Sequence, residues 1–109
     1  LDEQFGWIIM VGIGGIYTEL FKMTSIRSLP ISRDDIMQML NEIPGLSQLL
    51  NGYRGQPSYD REALCDAVQQ ISGIVMHNKS VLELVEINPL RVMPGTGGVV
   101  ALDCVIKLK

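Results

Sequence analysis

Apolar and polar positions change period several times along the chain, and each change predicts a new element. Phe5 to Ile13 is apolar with few charges and predicts a buried strand. Gly14-Gly15 is a two-residue hairpin signal, and Ile16 to Met23 reads as the return strand, carrying Glu19 among Tyr17, Leu20 and Phe21. Ser25 to Ile31 predicts a short third strand that contains Arg27. From Ser32 the period becomes helical. Ile36, Met39, Leu40 and Ile43 follow the i, i+3, i+4, i+7 rule and make one apolar stripe. The Ser32 hydroxyl can cap the first turn, Asp34 and Asp35 suit its positive end, and Pro44-Gly45 stops the helix. Leu46 to Leu50 reads as a helical turn or an irregular segment, and Asn51 to Pro57 as a loop. Asp60 can cap a second helix, Arg61 to His77, with Leu64, Val68, Ile71 and Val75 as its stripe. Two further apolar runs, Val81 to Met93 and Val99 to Leu108, flank Pro94-Gly95-Thr96-Gly97-Gly98 and predict a β-hairpin. The sum is β-β-β-α-α-β-β, an α+β fold with a mostly antiparallel sheet and helices packed on one face.

Composition narrows the class. A chain of 109 residues fits one small domain or part of a larger one, and its start at Leu1 rather than Met suggests an excised fragment. Hydrophobic residues make up 47% and charged residues 19%, so a packed core is expected and disorder is not. Net charge is -3 with basic residues thinly spread, which argues against a nucleic-acid partner. The apolar run from Trp7 to Tyr17 is too short for a bilayer span, and its acidic flank, Asp2 and Glu3, is wrong for a signal peptide. Cys65 and Cys104 lack CxxC partners, so reduced, buried thiols and a cytoplasmic home are expected. His77 is the only histidine and complements a helix C-terminus, which argues against zinc. Gly12, Gly14 and Gly15 do not complete G-x-G-x-x-G, because Tyr17 takes the last position, and no P-loop occurs. Tight hairpin geometry is the favoured role of these glycines, a phosphate cradle the alternative.

The candidate chemistry lies in Glu86-Ile87-Asn88-Pro89-Leu90 and in Asp103. Glu86 and Asn88 are two apart and share one strand face. With Met93 facing Gly98 across the loop, counting outward sets Asn88 opposite Asp103. Directly opposed side chains have Cβ atoms roughly 4.5–5.5 Å apart, close enough for two oxygens to hold one small cation. These donors are hard oxygens, which suit Mg²⁺ rather than zinc. A one-residue bulge would turn Asp103 to the other face. The plainer alternative is a strand ended by Asn-Pro and a solvated Asp. Arg27 is either a surface or salt-bridge arginine or a phosphate ligand. Arg54, between two glycines, is either structural or a ligand contact.

Three stretches carry a family resemblance. Phe5 to Glu19, with its glycine-rich run into a glutamate, resembles a segment of the ADP-forming acyl-CoA synthetases. Leu49-Leu50-Asn51-Gly52-Tyr53-Arg54-Gly55-Gln56-Pro57 resembles their loop between helices. Leu84 to Leu90 followed by Val100-Ala101-Leu102-Asp103 resembles their closing hairpin, and is also similar to that of succinyl-CoA synthetase β subunits. The resemblance runs along essentially the whole chain. It implies an ATP-grasp fold, of which residues 1–109 would form the second subdomain. It implies that Asn88 and Asp103 bind the Mg²⁺ of ATP or ADP, that Glu86 binds or orients there, and that Glu19 and Arg27 occupy nucleotide-site positions. The implied reaction is acyl-CoA + ADP + phosphate ⇌ acid + CoA + ATP, through acyl phosphate and a phosphohistidine that His77 does not supply. The nucleotide-binding lysine and the domains that bind CoA and the acyl substrate would lie elsewhere in the parent, so the fragment itself is expected to be inactive. Two alternatives are a regulatory synthetase-like module of a protein lysine acetyltransferase and a plain interaction domain.

Overall fold

The computed structural model describes residues 1–13 and 24–109. The predicted return strand from Ile16 to Met23, its Gly14-Gly15 turn and Glu19 lie outside them. The described elements are β1 (Ile8–Gly12), β2 (Thr24–Ser28), α1 (Arg33–Glu42), α2 (Leu46–Leu50), α3 (Arg61–His77), β3 (Leu82–Ile87), β4 (Leu90–Val92), β5 (Val99–Ala101) and β6 (Cys104–Leu108). The strands pair antiparallel as β1 with β2, β3 with β6 and β4 with β5. The α+β class therefore holds. Its detail differs: among the described residues the strands make three two-stranded sheets, and Leu46–Leu50 winds a short helix of its own.

β1 is shorter and less buried than its apolar run suggests. Asp2 closes a turn before it: the carboxylate accepts the N–H groups of Gln4 and Phe5, each at 2.8 Å, and Asp2 and Gly6 exchange backbone hydrogen bonds. Phe5 is consequently exposed, and the strand begins at Ile8. Alternation then buries one face. Ile9 and Val11 pack on the core, whereas Met10 is exposed opposite Ile26, which is exposed too. β2 stops at Ser28, short of the predicted Ile31. Pro30 supplies no N–H to a ladder and ends the strand.

α1 opens on a reciprocal cap. Ser32 Oγ accepts the Asp35 N–H at 3.1 Å, and Asp35 Oδ2 accepts the Ser32 N–H at 2.9 Å. Its stripe of Ile36, Met39 and Leu40, with Ile43 just beyond, is fully buried as predicted. The helix ends at Glu42, and Gly45 takes a left-handed φ of 79° that only glycine adopts freely. α3 opens on Asp60, whose Oδ1 accepts the Ala63 N–H at 3.0 Å. Arg33 ties the helices together by pairing with both Glu62 and Asp66.

Among the described residues the core joins three helices: Ile36 and Leu40 from α1, Leu50 from α2, and Leu64, Cys65 and Val68 from α3. Ile9 and Val11 of β1 and Leu90, Val92 and Val99 of the hairpin pack against it. The β4–β5 ladder is thereby held on the helical layer. The β3–β6 ladder is held less completely, and Ile106 and Leu108 of β6 remain exposed. An apolar groove of about 350 Å³ runs beside it, lined by Ile71 and Ile74 of α3 and by Val85, Ile87, Cys104 and Ile106. Cys65 is buried as expected. Cys104 is exposed, against expectation, because it stands on this partly covered ladder; both thiols are free.

Candidate metal and nucleotide site

One register governs the hairpin across two ladders. In β3–β6, Val85 faces Ile106, Glu86 faces Val105 and Ile87 faces Cys104. In β4–β5, Leu90 faces Ala101, Arg91 faces Val100 and Val92 faces Val99. The Met93 N–H donates to the Gly98 carbonyl at 2.9 Å and closes the tip. The same count passes through the break between the ladders, so Asn88 faces Asp103. The Asn88 N–H donates to the Asp103 carbonyl at 3.1 Å, and the Leu102 N–H donates to the Pro89 carbonyl at 3.0 Å. A register shift between Leu82 and Leu84 lies beyond the Glu86 pair and leaves this count intact.

The break also changes which positions point inward. Val85 and Ile87 line the groove beside α3, whereas Leu90 and Val92 pack on the core. The inward set passes from odd to even numbers at Asn88-Pro89. Glu86 and Val105 face each other on the side of the ladder away from the groove and are exposed, and Asn88 and Asp103 at the break are exposed as well. Asp103 Oδ1 accepts the N–H of Cys104 at 2.9 Å, which fixes the carboxylate beside the break. The other carboxylate oxygen has no hydrogen-bond partner among the described residues.

These donors fit a small hard cation shared with a phosphate ligand. Mg²⁺ is commonly bound through one or two protein carboxylates, with waters and substrate phosphates completing its shell. Among the described residues no group of three or more His, Cys, Asp or Glu side chains gathers around a common point. The pair offers two oxygens, and an anionic ligand would supply further ones. Glu86 is exposed two residues before Asn88.

The remaining candidates are placed differently. Arg27 forms a salt bridge with Glu42, and its other guanidinium nitrogen donates to Ser25 Oγ at 3.2 Å and to the Ile26 carbonyl at 3.0 Å. Ser25, which is buried, donates its hydroxyl to the second Glu42 oxygen at 2.8 Å. The Arg27 hydrogen bond, then the Ser25 one, lowers the Glu42 pKa, and Glu42 raises that of Arg27. Of the two readings of Arg27, the structure displays the salt bridge, which clamps β2 to α1. No hydrogen bond or ion pair among the described residues joins it to the hairpin. Arg54 stacks its guanidinium 5.4 Å from the Tyr53 ring centre in an exposed loop. His77 ends α3 and is exposed.

Sequence reasoning saw Asp60 as a helix cap only. Its second oxygen, Oδ2, accepts the Gly98 N–H at 2.8 Å, and its own N–H donates to the Met93 carbonyl at 2.9 Å. No local pattern signals a contact between residues 38 positions apart.

This hairpin, the capped helices and the intervening loop are those of an ATP-grasp domain. A family model described as "ATP-grasp domain" matches residues 1–108, and the chain belongs to that family. Its relatives narrow the branch to ADP-forming acyl-CoA synthetases. The chain is 36% identical, over 99% of its length, to the acetate–CoA ligase [ADP-forming] II subunit beta of Pyrococcus furiosus, of which it spans 45%. It is 34% identical, over 96% of its length, to acetate–CoA ligase [ADP-forming] I of Archaeoglobus fulgidus, of which it spans 15%. Among solved structures, a Pyrococcus horikoshii protein superposes with a TM-score of 0.89 at 33% identity, covering 99% of this chain and 45% of that one. The acetyl-coenzyme A synthetase 1 of Candidatus Korarchaeum cryptofilum, solved with coenzyme A and Mg-AMPPCP, superposes with a TM-score of 0.84 at 33% identity, covering 99% of this chain and 49% of that one. The chain thus spans less than half of the curated relatives it matches.

Proposed function

We propose that this chain is the second subdomain of the ATP-grasp domain of an ADP-forming acid–CoA ligase, and that Asn88 and Asp103 hold the Mg²⁺ of its nucleotide. The supporting observation is their opposition across a hairpin break, with both side chains on an exposed face in a chain of this family. Mg²⁺ bound there would offset phosphate charge during phosphoryl transfer. The chain's own contribution is to present two oxygens on a fixed register, with the Cys104 N–H holding the Asp103 carboxylate in place. Glu86 extends the same face and orients the site. Arg27, clamped by Glu42, fixes the β2 end of the helical layer and carries a permanent positive charge there. Coenzyme A and the acyl substrate belong to other domains or subunits of the complete protein, and the 109-residue chain alone is inactive.

The test is acetyl-CoA-dependent ATP formation from ADP, phosphate and Mg²⁺ by the full-length protein that carries this chain. Activity in wild type that falls sharply at the same Mg²⁺ concentration in folded Asn88→Ala and Asp103→Ala supports the reading. Undiminished activity in both variants overturns the metal assignment. A well-folded wild type that is inactive with several acyl-CoAs overturns the ligase assignment and favours a regulatory module.

A further inference from the structure

Asp60 contacts both arms of the hairpin that carries Asn88 and Asp103, at the point where the arms close. Its N–H donates to the carbonyl of Met93, the last residue before the tip, at 2.9 Å. Its Oδ2 accepts the N–H of Gly98, the first residue after the tip, at 2.8 Å. Met93 and Gly98 are themselves the closing pair, joined at 2.9 Å. Its Oδ1 is committed to the first turn of α3 through Ala63. One residue thus ties the start of α3 to both sides of the hairpin closure, through its backbone N–H at Met93 and its side chain at Gly98. Ser58 and Tyr59 extend the attachment: the Gly95 N–H donates to the Ser58 carbonyl at 2.8 Å, and Tyr59 bridges to Pro94.

The attachment has a consequence for the pair further down. The upper ladder, β4–β5, has only three residues on each strand. So short a ladder has few hydrogen bonds of its own to add to the packing of Leu90, Val92 and Val99 on the core, and a slip of one residue would carry Asp103 to the opposite face. The glycine-rich tip offers few side chains to resist such a slip. Holding Met93 and Gly98 to Asp60, the cap of α3, removes what freedom remains. Resting on the proposed metal reading, we infer that Asp60 is a positioning residue for the cation site: it locks the hairpin register that sets Asn88 opposite Asp103.

The experiment separates this role from helix capping. In the full-length protein, Asp60→Ser keeps a side-chain acceptor for the α3 cap but is too short to reach Gly98. Asp60→Asn keeps the length and sets an amide donor or a weaker neutral acceptor against Gly98. Mg²⁺ titrations of ATP formation at saturating ADP are compared for wild type, both variants and Asn88→Ala, with melting temperatures recorded alongside. The expected result is a Mg²⁺ midpoint raised about tenfold in Asp60→Ser, the lower edge of what outer partners of metal ligands give, with kcat largely restored at high Mg²⁺. Asp60→Asn moves the same way by less and serves as the readout where the serine variant fails to fold. A lowered melting temperature with an unchanged Mg²⁺ midpoint in both Asp60 variants, while Asn88→Ala shifts it, overturns the inference and leaves the metal reading standing. An unchanged midpoint in Asn88→Ala itself overturns the metal reading, and the inference falls with it.

Discussion

Asn88 and Asp103 face each other where the hairpin's two ladders meet, joined by a 3.1 Å hydrogen bond from the Asn88 N–H to the Asp103 carbonyl. Their backbones are fixed to each other while both side chains stay exposed. A pair built this way should tolerate exchange of its two members. Asp103→Asn is expected to weaken Mg²⁺-dependent ATP formation in the full-length protein by about a hundredfold, the scale seen when one charge-stabilising group is removed from an active site. Adding Asn88→Asp restores one carboxylate and one amide across the same break and should recover part of that loss. A double variant no better than Asp103→Asn would show that each position demands its own chemistry.

Glu42 gives a pH prediction. Its hydrogen bonds from Arg27 and Ser25 hold its pKa below the ordinary glutamate value in the folded chain. A carboxyl with a lowered folded pKa stabilises the fold above its unfolded value, and that contribution is lost as pH falls through the folded one. The melting temperature should therefore drop as acid is added below the ordinary carboxylate range. Glu42→Gln should flatten that part of the profile. The pair is partly exposed, so added salt should shrink the difference. Parallel acid profiles for wild type and Glu42→Gln would refute the clamp.

Gly52 sits at φ 91°, and a Cβ added there would lie 2.5 Å from the Gln56 carbonyl oxygen. Both the left-handed backbone and the close approach of main chain exclude a side chain. Gly52→Ala should destabilise the chain by about 1–3 kcal/mol, the usual scale of such local strain, measured by denaturant unfolding. Gly55, also left-handed but with open space around it, is the control and should cost less on replacement by Ala.

The two cysteines should differ in reactivity. Cys65 is buried against the core, and burial raises its thiol pKa, so the reactive thiolate is scarce. Cys104 is exposed. A thiol reagent added to native protein should label Cys104 first, with Cys65 following only on unfolding. Mass spectrometry of the labelled peptides reads the order directly.

The parts legible in the sequence were those whose cause is local. Ser32 and Asp60 announce their helices because capping needs only a side-chain oxygen a few residues ahead of the donor. The Asn88–Asp103 register was legible because an antiparallel hairpin, once its loop is placed, has a single count, and that count runs unbroken across the interruption. Burial was less legible. The apolar run at Phe5 does not reveal that Asp2 folds back and turns Phe5 outward. Cys104 looks like a core thiol until its ladder is found only partly covered. Partnerships across the chain were not legible at all: neither Glu42 holding Arg27 nor Asp60 holding Gly98 leaves a pattern in neighbouring residues.

β6 has a consequence for handling the chain. Its five residues are exposed, Ile106 and Leu108 by more than half, and among the described residues only β3 pairs with it. Its outer row of amide and carbonyl groups is a template onto which another extended segment can crystallise. In the 109-residue chain on its own, edge-to-edge stacking at that rim is expected to limit concentration. Val105→Lys, on the face of β6 away from the groove, should raise that limit, read as the concentration at which light scattering climbs.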